Sequence, residues 1–142
     1  MTARTSGTSR KATLAAIAIG LVTGVSGVSS AQAPGFKRVE LQRHDLSTAG
    51  HEFIQARGEF APGATVAKHT HPGEEVGYVL TGEVTVEMEG KPAQVLKAGD
   101  AFFVPAGTVH SAKNAGKAPA AVLSTYIVEK DKPLMTPVAA GK

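Results

Sequence analysis

The sequence predicts an all-β fold, a small barrel or sandwich. Residues 83–89 alternate valine and methionine with threonine and glutamate, and this two-residue period is typical of a strand with one solvated face. Turn signals built on glycine and proline recur about every ten residues, the spacing expected of short antiparallel strands. No stretch after residue 33 has a convincing helical period. The sequence therefore predicts antiparallel sheets around one core, in a single domain.

The strands are expected in a regular order along the chain. The candidate segments are 52–60, 75–80, 83–89, 93–97, 101–105 and 121–129. Pairs such as Pro62-Gly63, Pro72-Gly73 and Thr81-Gly82 supply the turns between them. The final stretch, 131–142, is rich in proline, alanine and glycine and is expected to lie extended or to fray. The larger aromatic side chains are expected mainly in the core, with one or two at the mouth of a barrel: Phe60, Tyr78, Phe102, Phe103 and Tyr126.

Residues 1–33 have the pattern of a secretory signal peptide. They contain three basic residues and no acidic ones, and an apolar run over 12–28 precedes the small-x-small sequence Ala31-Gln32-Ala33. The alternative is an N-terminal membrane anchor. A spanning helix needs about 20 strongly apolar residues, and this run is shorter and interrupted by glycine, threonine and serine. We expect cleavage, a mature domain at 34–142 and a periplasmic or secreted location.

Charge and cysteine content limit the partners of the mature chain. The formal charge of the whole chain is +3, and three of its 15 basic residues lie in the leader, so the 12 acidic residues balance the rest. Without a basic block, nucleic acid is not an expected partner. No membrane contact is expected after signal cleavage. The chain has no cysteine, so its stability must come from burial, a metal or a partner subunit.

Histidine is scarce, and its placement predicts a metal site. Of five histidines, His69 and His71 are two apart, so on a strand they face the same way. A Pro-Gly turn then allows a carboxylate to return to the same ion, and His110 follows another turn. Imidazoles and a carboxylate suit a divalent transition metal, with positions left open for a ligand. The alternative is a solvated acidic loop with structural histidines. His44 and His51 are interpreted as ordinary surface residues.

Two longer patterns contain these residues. Residues 63–82 read GATVAKHTHPGEEVGYVLTG, and residues 99–114 read GDAFFVPAGTVHSAKN. They resemble the two conserved motifs of the cupin superfamily, with a short segment between them as in small single-domain bacterial cupins. The resemblance implies a cupin jelly-roll β-barrel (a double-stranded β-helix) with one metal ion inside near one end. It makes His69, His71, Glu75 and His110 the ligands.

Strand alternation distinguishes the adjacent glutamates. Glu75 is at the motif position, and its side of the strand is expected to face the site together with Gly77 and Val79. Glu74 is expected to be a solvated turn residue. The opposite side is expected to pack elsewhere and comprises Val76, Tyr78 and Leu80. Asn114 is interpreted as stabilising a turn.

Two functions are compatible with these features, because one fold can host unrelated chemistry. The first is a mononuclear metalloenzyme of oxidoreductase, dioxygenase-like type that acts on a small molecule, with Glu75 as metal ligand and proton acceptor. The second is a non-catalytic periplasmic protein that binds a small ligand or the metal. The ion would be divalent manganese, iron, nickel, copper or zinc, and the donor types do not choose among them.

A homodimer is also expected. A small barrel without disulfides has a high surface-to-volume ratio, and pairing an exposed sheet edge across a two-fold axis removes a liability. Apolar residues in the segment before the first motif indicate that residues 36–56 contribute to the interface.

The leader hypothesis has a direct test. Sequencing the N-terminus of exported protein should find Pro34 or a residue close to it, because proline directly after the cut disfavours signal peptidase. Intact Met1 on soluble cytoplasmic protein would contradict the leader, and with it the neutral charge of the mature chain.

Overall fold

The structure, a computed structural model, describes residue 2 and residues 33–139, and its regular elements are all β-strands. The strands are β1 (Phe36–Asp45), β2 (His51–Phe60), β3 (Thr65–Thr70), β4 (Gly73–Thr81), β5 (Glu83–Met88), β6 (Gln94–Lys97), β7 (Ala101–Val104), β8 (His110–Lys113), β9 (Ala120–Glu129) and β10 (Thr136–Pro137). The predicted all-β class is confirmed. No helix in the described ranges is long and apolar enough to cross a membrane. The predicted signal peptide lies outside the described residues, apart from Thr2 and Ala33.

The strands form two five-stranded antiparallel sheets. One has the order β1-β2-β9-β4-β7 and the other β10-β3-β8-β5-β6, so neighbours other than the consecutive pairs β1-β2 and β5-β6 come from distant parts of the chain. This arrangement is a jelly roll, as predicted. Two consequences matter for function. Strand β4 lies beside β9 in the first sheet, and β3 lies beside β8 in the second.

Valine side chains dominate the core. The predicted alternation in β5 holds, because Val84 and Val86 are each 1% exposed, whereas Thr85 between them is half-buried and Glu87 is exposed. Val79, Val104 and Val122 meet them from the other sheet. Each fully buried valine contributes roughly 1.5–3 kcal/mol relative to an exposed one. Because the described chain has no disulfide, this burial is a main source of its stability.

The outer face of the first sheet departs from the sequence prediction. Glu75 and Val79 point inward, at 5% and 0% exposed, as alternation predicts. Val76 and Tyr78 were expected to pack on the other side, yet they are 42% and 46% exposed. Leu80 is also exposed, and Phe103, expected in the core, is 51% exposed. These predictions are wrong because no described element covers that face. Phe60 and Tyr126 are buried as expected, and Phe102 packs partly against the core.

The beginning of β4 packs unusually closely on β9. Gly73 is paired with Val128, and a Cβ atom at residue 73 would lie 2.1 Å from the Ile127 carbonyl oxygen and 2.6 Å from the Val128 Cα. Real Cβ atoms do not approach backbone so closely, so glycine is required here. The close approach holds β4 in the register that places Glu75 opposite Tyr126.

The two ends of the domain are more ordered than their composition indicated. Strand β1 is rich in charged residues, so its alternation is weak, but it pairs along its length with β2. Near the C-terminus, β10 pairs with Thr70 and His69 of β3, and the Val138 amide donates a 2.9 Å hydrogen bond to the Lys68 carbonyl. Residues 136–138 are therefore extended and paired, as one alternative predicted, while residues 131–134 form turns and bends.

Candidate metal centre

Three buried histidines meet where β3 and β8 are paired. His69 lies on β3 directly opposite His110, the first residue of β8. His71 follows the end of β3, and its side chain turns toward the same point. All three are between 4% and 6% exposed. One ring nitrogen of each lies within 4.8 Å of those of the other two.

Backbone carbonyls fix the orientation of all three rings. Each Nδ1 donates a hydrogen bond to a carbonyl oxygen: His69 to Ala67 at 2.7 Å, His71 to Leu134 at 2.5 Å and His110 to Thr108 at 2.9 Å. A carbonyl can only accept, so Nδ1 carries the proton. In the neutral ring the Nε2 lone pair is then free, which is how a metal-ligating histidine is usually held.

The unsatisfied nitrogens test whether these residues fit a metal ion. The Nε2 atoms of His71 and His110 are buried and have no hydrogen-bond partner in the described structure. An unpaired buried polar atom costs about 1–3 kcal/mol, so such atoms call for an explanation. A transition metal ion accepts imidazole lone pairs and would satisfy these nitrogens together. The donor set therefore fits a divalent transition metal.

Glu75 adds a carboxylate at the same point. Its Oε2 lies 3.2 Å from His71 Nε2 and 3.3 Å from His110 Nε2, although neither contact has hydrogen-bond geometry. Burial opposes ionisation of this carboxyl, but its interactions with His110 and His71 prevail and lower its pKa below the usual range. Ser124 and Tyr126, on the neighbouring strand β9, also interact with it. The carboxylate is therefore ionised and held from several sides.

The histidines differ electrostatically. Burial lowers the pKa of His69 to about 4, which keeps its ring neutral and able to donate its lone pair at neutral pH. For His110, burial also opposes the charged form, but the Glu75 carboxylate outweighs it and raises the pKa. A bound cation would take the place of that proton, because ligation requires the neutral imidazole.

An interior cavity gives access to this centre. Its volume is about 270 Å³, slightly below the roughly 300–1,000 Å³ typical of small-molecule sites. Apolar side chains from both sheets line it, including the rings of Phe36, Phe60 and Phe102, and the four polar residues of the centre lie in its wall. The walls of the cavity are mainly apolar, and the metal centre is its polar part. The cavity therefore suits a small ligand with one polar end at the metal centre.

The structure brings together all four residues that the sequence analysis proposed as ligands. Glu74 is paired with Ile127 on the outer face and takes no part in the centre. His44 and His51 lie away from it, and their rings contact Gln42 and the Ala49 carbonyl.

Asn114 is a turn residue, as interpreted. Its side chain donates to the carbonyls of Phe60 and Ala118 and accepts from the Gly116 amide.

The residues that support the centre were not predicted from the sequence. Ser124 and Tyr126 are two apart on β9, and the period-two rule applied to that strand would have placed them on the inner face. The Leu134 carbonyl, the partner of His71, is 63 residues away along the chain. A backbone carbonyl in a loop leaves no mark in the sequence, so that contact could not be found.

Comparison with known proteins identifies the family. The model of the cupin domain matches residues 56–126, half of the chain. This chain belongs to the cupin family. Among curated cupin relatives, germin-like protein 1 of Brassica napus is 38% identical over 104 residues, covering 70% of this chain and 48% of the relative. Oxalate oxidase 2 of Hordeum vulgare is 35% identical over 78 residues, covering 49% and 35%. The chain thus spans less than half the length of these relatives.

Solved cupin structures agree with this placement. An oxalate oxidase in complex with the substrate analogue glycolate superimposes with a TM-score of 0.61 at 29% identity, covering 79% of this chain and 59% of that one. KdgF from Halomonas sp. superimposes with a TM-score of 0.55 at 27% identity, covering 69% and 83%.

The metal ligands can be tested by substitution. Purified mature protein should carry about one divalent transition ion per chain, and the His69→Ala/His71→Ala double variant should carry none, because two of the converging nitrogens are gone. Glu75→Gln should lower metal affinity by more than about tenfold, while the adjacent control Glu74→Gln leaves it unchanged. Elemental analysis after dialysis measures both. Full occupancy of the double variant would refute the site, and a reversed order of the glutamates would refute the assigned register.

The C-terminal segment should contribute to metal retention. Ending the chain after Lys132 removes the carbonyl that orients His71, and loss of such a supporting partner typically costs about 10–100-fold in metal affinity. A chain that ends at Ala139 keeps every described residue and is the matched control. Competition with a chromophoric chelator measures both affinities. Equal affinities would show that His71 keeps its orientation without Leu134.

Proposed function

We propose that this cupin is a mononuclear metalloenzyme of oxidoreductase type that acts on a small molecule. The observation that supports this most directly is the convergence of His69, His71, His110 and Glu75 on one point in the wall of a small cavity. Four protein ligands leave room at a five- or six-coordinate ion for a substrate, whereas a purely structural site is closed. In this proposal Glu75 is both a ligand and a proton acceptor.

The relatives support the reaction class. Oxalate oxidases of Hordeum vulgare and Triticum aestivum match about half of this chain, each at 35% identity. Glycolate is named as the substrate analogue in the superimposed oxalate oxidase. Oxalate and glycolate are small carboxylates with oxygen atoms on adjacent carbons, a geometry that can chelate one metal ion. Small oxygen-rich carboxylates are therefore the first substrates to examine.

The chain's own residues supply positioning and proton transfer. A bound transition metal would supply redox chemistry and would acidify a coordinating hydroxyl or carboxyl group of the substrate. This proposal assigns that proton to the Glu75 carboxylate, whose Oε2 lies 3.2 Å from His71 Nε2 and 3.3 Å from His110 Nε2. Ser124 and Tyr126 hold the carboxylate from the β9 side. The four residues of the centre are buried, which strengthens the electrostatic interactions there.

The second candidate function is a binding protein without catalysis. It is favoured because few acid or base groups lie in the cavity wall near the centre. Besides the histidines, the described groups there are Glu75, which belongs to the centre, and the buried Tyr126, which contacts it. In this case the same centre would hold the metal, or a ligand on the metal, without turnover. The pattern of residues 1–33 supports a periplasmic or secreted location for either function.

Turnover separates the two candidates. Mature protein reconstituted separately with manganese, iron, nickel, copper or zinc should consume oxygen or release hydrogen peroxide with at least one small hydroxy, oxo or dicarboxylic acid. Glu75→Gln, measured at saturating metal, should lower kcat by about 10²–10⁴-fold, because a general base contributes that much. Tight binding of these acids with no turnover for any metal would favour the binding protein.

We also propose a homodimer formed through the first sheet. Apolar side chains lie side by side on its outer face: exposed Val76 is paired with exposed Phe103, and exposed Ile127 of β9 is paired with half-buried Phe53 of β2. Contiguous apolar patches of this kind commonly mark interfaces. Phe53 belongs to the segment 36–56, so the patch continues into the region that the sequence analysis proposed. A second copy of the chain would cover both the apolar patch and the segment 36–56.

The interface can be tested with charged substitutions. Val76→Lys and Phe103→Glu should each convert the dimer to a monomer in light scattering at micromolar concentration, because each places a charge within the apolar patch. Val95→Lys is the matched control, since Val95 is 57% exposed but lies on β6 of the other sheet. A wild-type monomer under the same conditions, with metal bound, would refute the dimer.

A further inference from the structure

Positive charges outnumber negative charges in the cavity wall. Three charged side chains line it: the Glu75 carboxylate at the metal centre and the cations Arg38 and Lys68. The histidines add no negative charge, and a divalent ion would make the interior more positive. A low-dielectric cavity of one sign concentrates ligands of the opposite sign. The cavity therefore favours an anion over a neutral molecule of the same shape.

Arg38 is built into the inner wall. It lies on β1, paired with Gly58 of β2, and strand alternation places it on the same face as Phe36, which packs against Phe60 with ring centroids 4.7 Å apart. A Cβ atom at residue 58 would approach the Phe36 ring to 3.1 Å, so glycine keeps this part of the wall open. Arg38 itself is half-buried.

Arg38 and the residues of the metal centre line the same cavity, and Tyr126 is also part of its wall. Tyr126 in turn packs edge-on against His71, with ring centroids 4.8 Å apart. One ligand can therefore reach the metal centre and the region of Arg38 within the same small cavity.

Lys68 differs from Arg38 in its exposure to solvent and in the geometry of its charged group. It is exposed on β3, so solvent screens its charge. An ammonium group is also a point charge, whereas the planar guanidinium matches a carboxylate through two parallel hydrogen bonds. Lys68 therefore provides a control for general attraction between the cavity and an anion.

We propose that Arg38 is a specificity-determining residue that binds a carboxylate of the ligand while another oxygen of the same ligand lies at the metal centre. The ligand class is then a small organic anion with a carboxylate and at least one further oxygen donor. This inference rests on the proposed function for the position of the ligand. It extends that function by assigning charge selectivity to a residue outside both sequence motifs.

Binding to zinc-loaded protein tests this assignment without turnover, because zinc has no redox chemistry. The probes are matched pairs, malonate with its half-amide malonamate and succinate with succinamate, which differ by one charge at nearly constant size. Calorimetry should show the dianion binding about 10–100-fold more tightly, the range expected of a hydrogen-bonded charge pair. Arg38→Gln should reduce that preference to less than about threefold, Arg38→Lys should retain part of it, and Lys68→Gln should reduce it less than Arg38→Gln does.

The variants must retain the metal for this comparison, so zinc content and thermal unfolding are measured for each. An unchanged preference in Arg38→Gln, or equal binding of both members of a pair to the wild type, would overturn the assignment. Loss of zinc from both Arg38→Gln and Arg38→Lys would also overturn it, because Arg38 would then act on the metal centre. Failure of the proposed function is distinct: it would leave the charge preference intact in the zinc protein while no metal supports turnover.

Discussion

The functional centre depends on one repeated interaction, the hydrogen bond from a histidine Nδ1 to a backbone carbonyl. It occurs at His69, His71 and His110 and leaves three Nε2 atoms within 4.8 Å of one another. Without these bonds each ring could rotate and tautomerise, and the nitrogens would not share a point. Because the acceptors are main-chain atoms, the orientation of the ligands is tied to the path of the backbone. Fold and metal site are therefore coupled, and a change in strand pairing changes the donor geometry.

The register of the strand pairs determines which side chains meet at the centre from both sheets. The pairing of β3 with β8 brings His69 opposite His110, and the pairing of β4 with β9 brings Glu75 opposite Tyr126. A one-residue slip would move each of these side chains to the other face of its sheet. Gly73 opposes such a slip in β4. The backbone of β9 lies where a side chain at this position would be, so a neighbouring residue with a side chain cannot take its place. The valine core then fixes the separation of the two sheets, so a cavity of about 270 Å³ persists between them.

The inner and outer faces of the first sheet have opposite chemical characters, which indicates separate roles. The inner face carries the Glu75 carboxylate and its hydroxyl neighbours, while the outer face exposes Val76, Tyr78 and Phe103. Period-two alternation assigns these residues to their faces without ambiguity. What alternation does not say is whether a given face is covered. For that reason the inward residues of β4 were predicted correctly, while their neighbours were wrongly expected to be packed within the chain.

The sequence by itself determined the all-β class and the positions of most strands, and it predicted the four side chains that the structure brings together at the candidate centre. It could do so because alternation is local and because both motifs combine their residue types at fixed spacing. Tertiary structure decided the rest. The Leu134 carbonyl reaches His71 from 63 residues away, β1 pairs with β2 despite its weak alternation, and Arg38 of β1 lines the cavity opposite Gly58 of β2. Each of these features depends on two distant segments being adjacent, and the free energy that favours their contact arises only when the whole barrel closes.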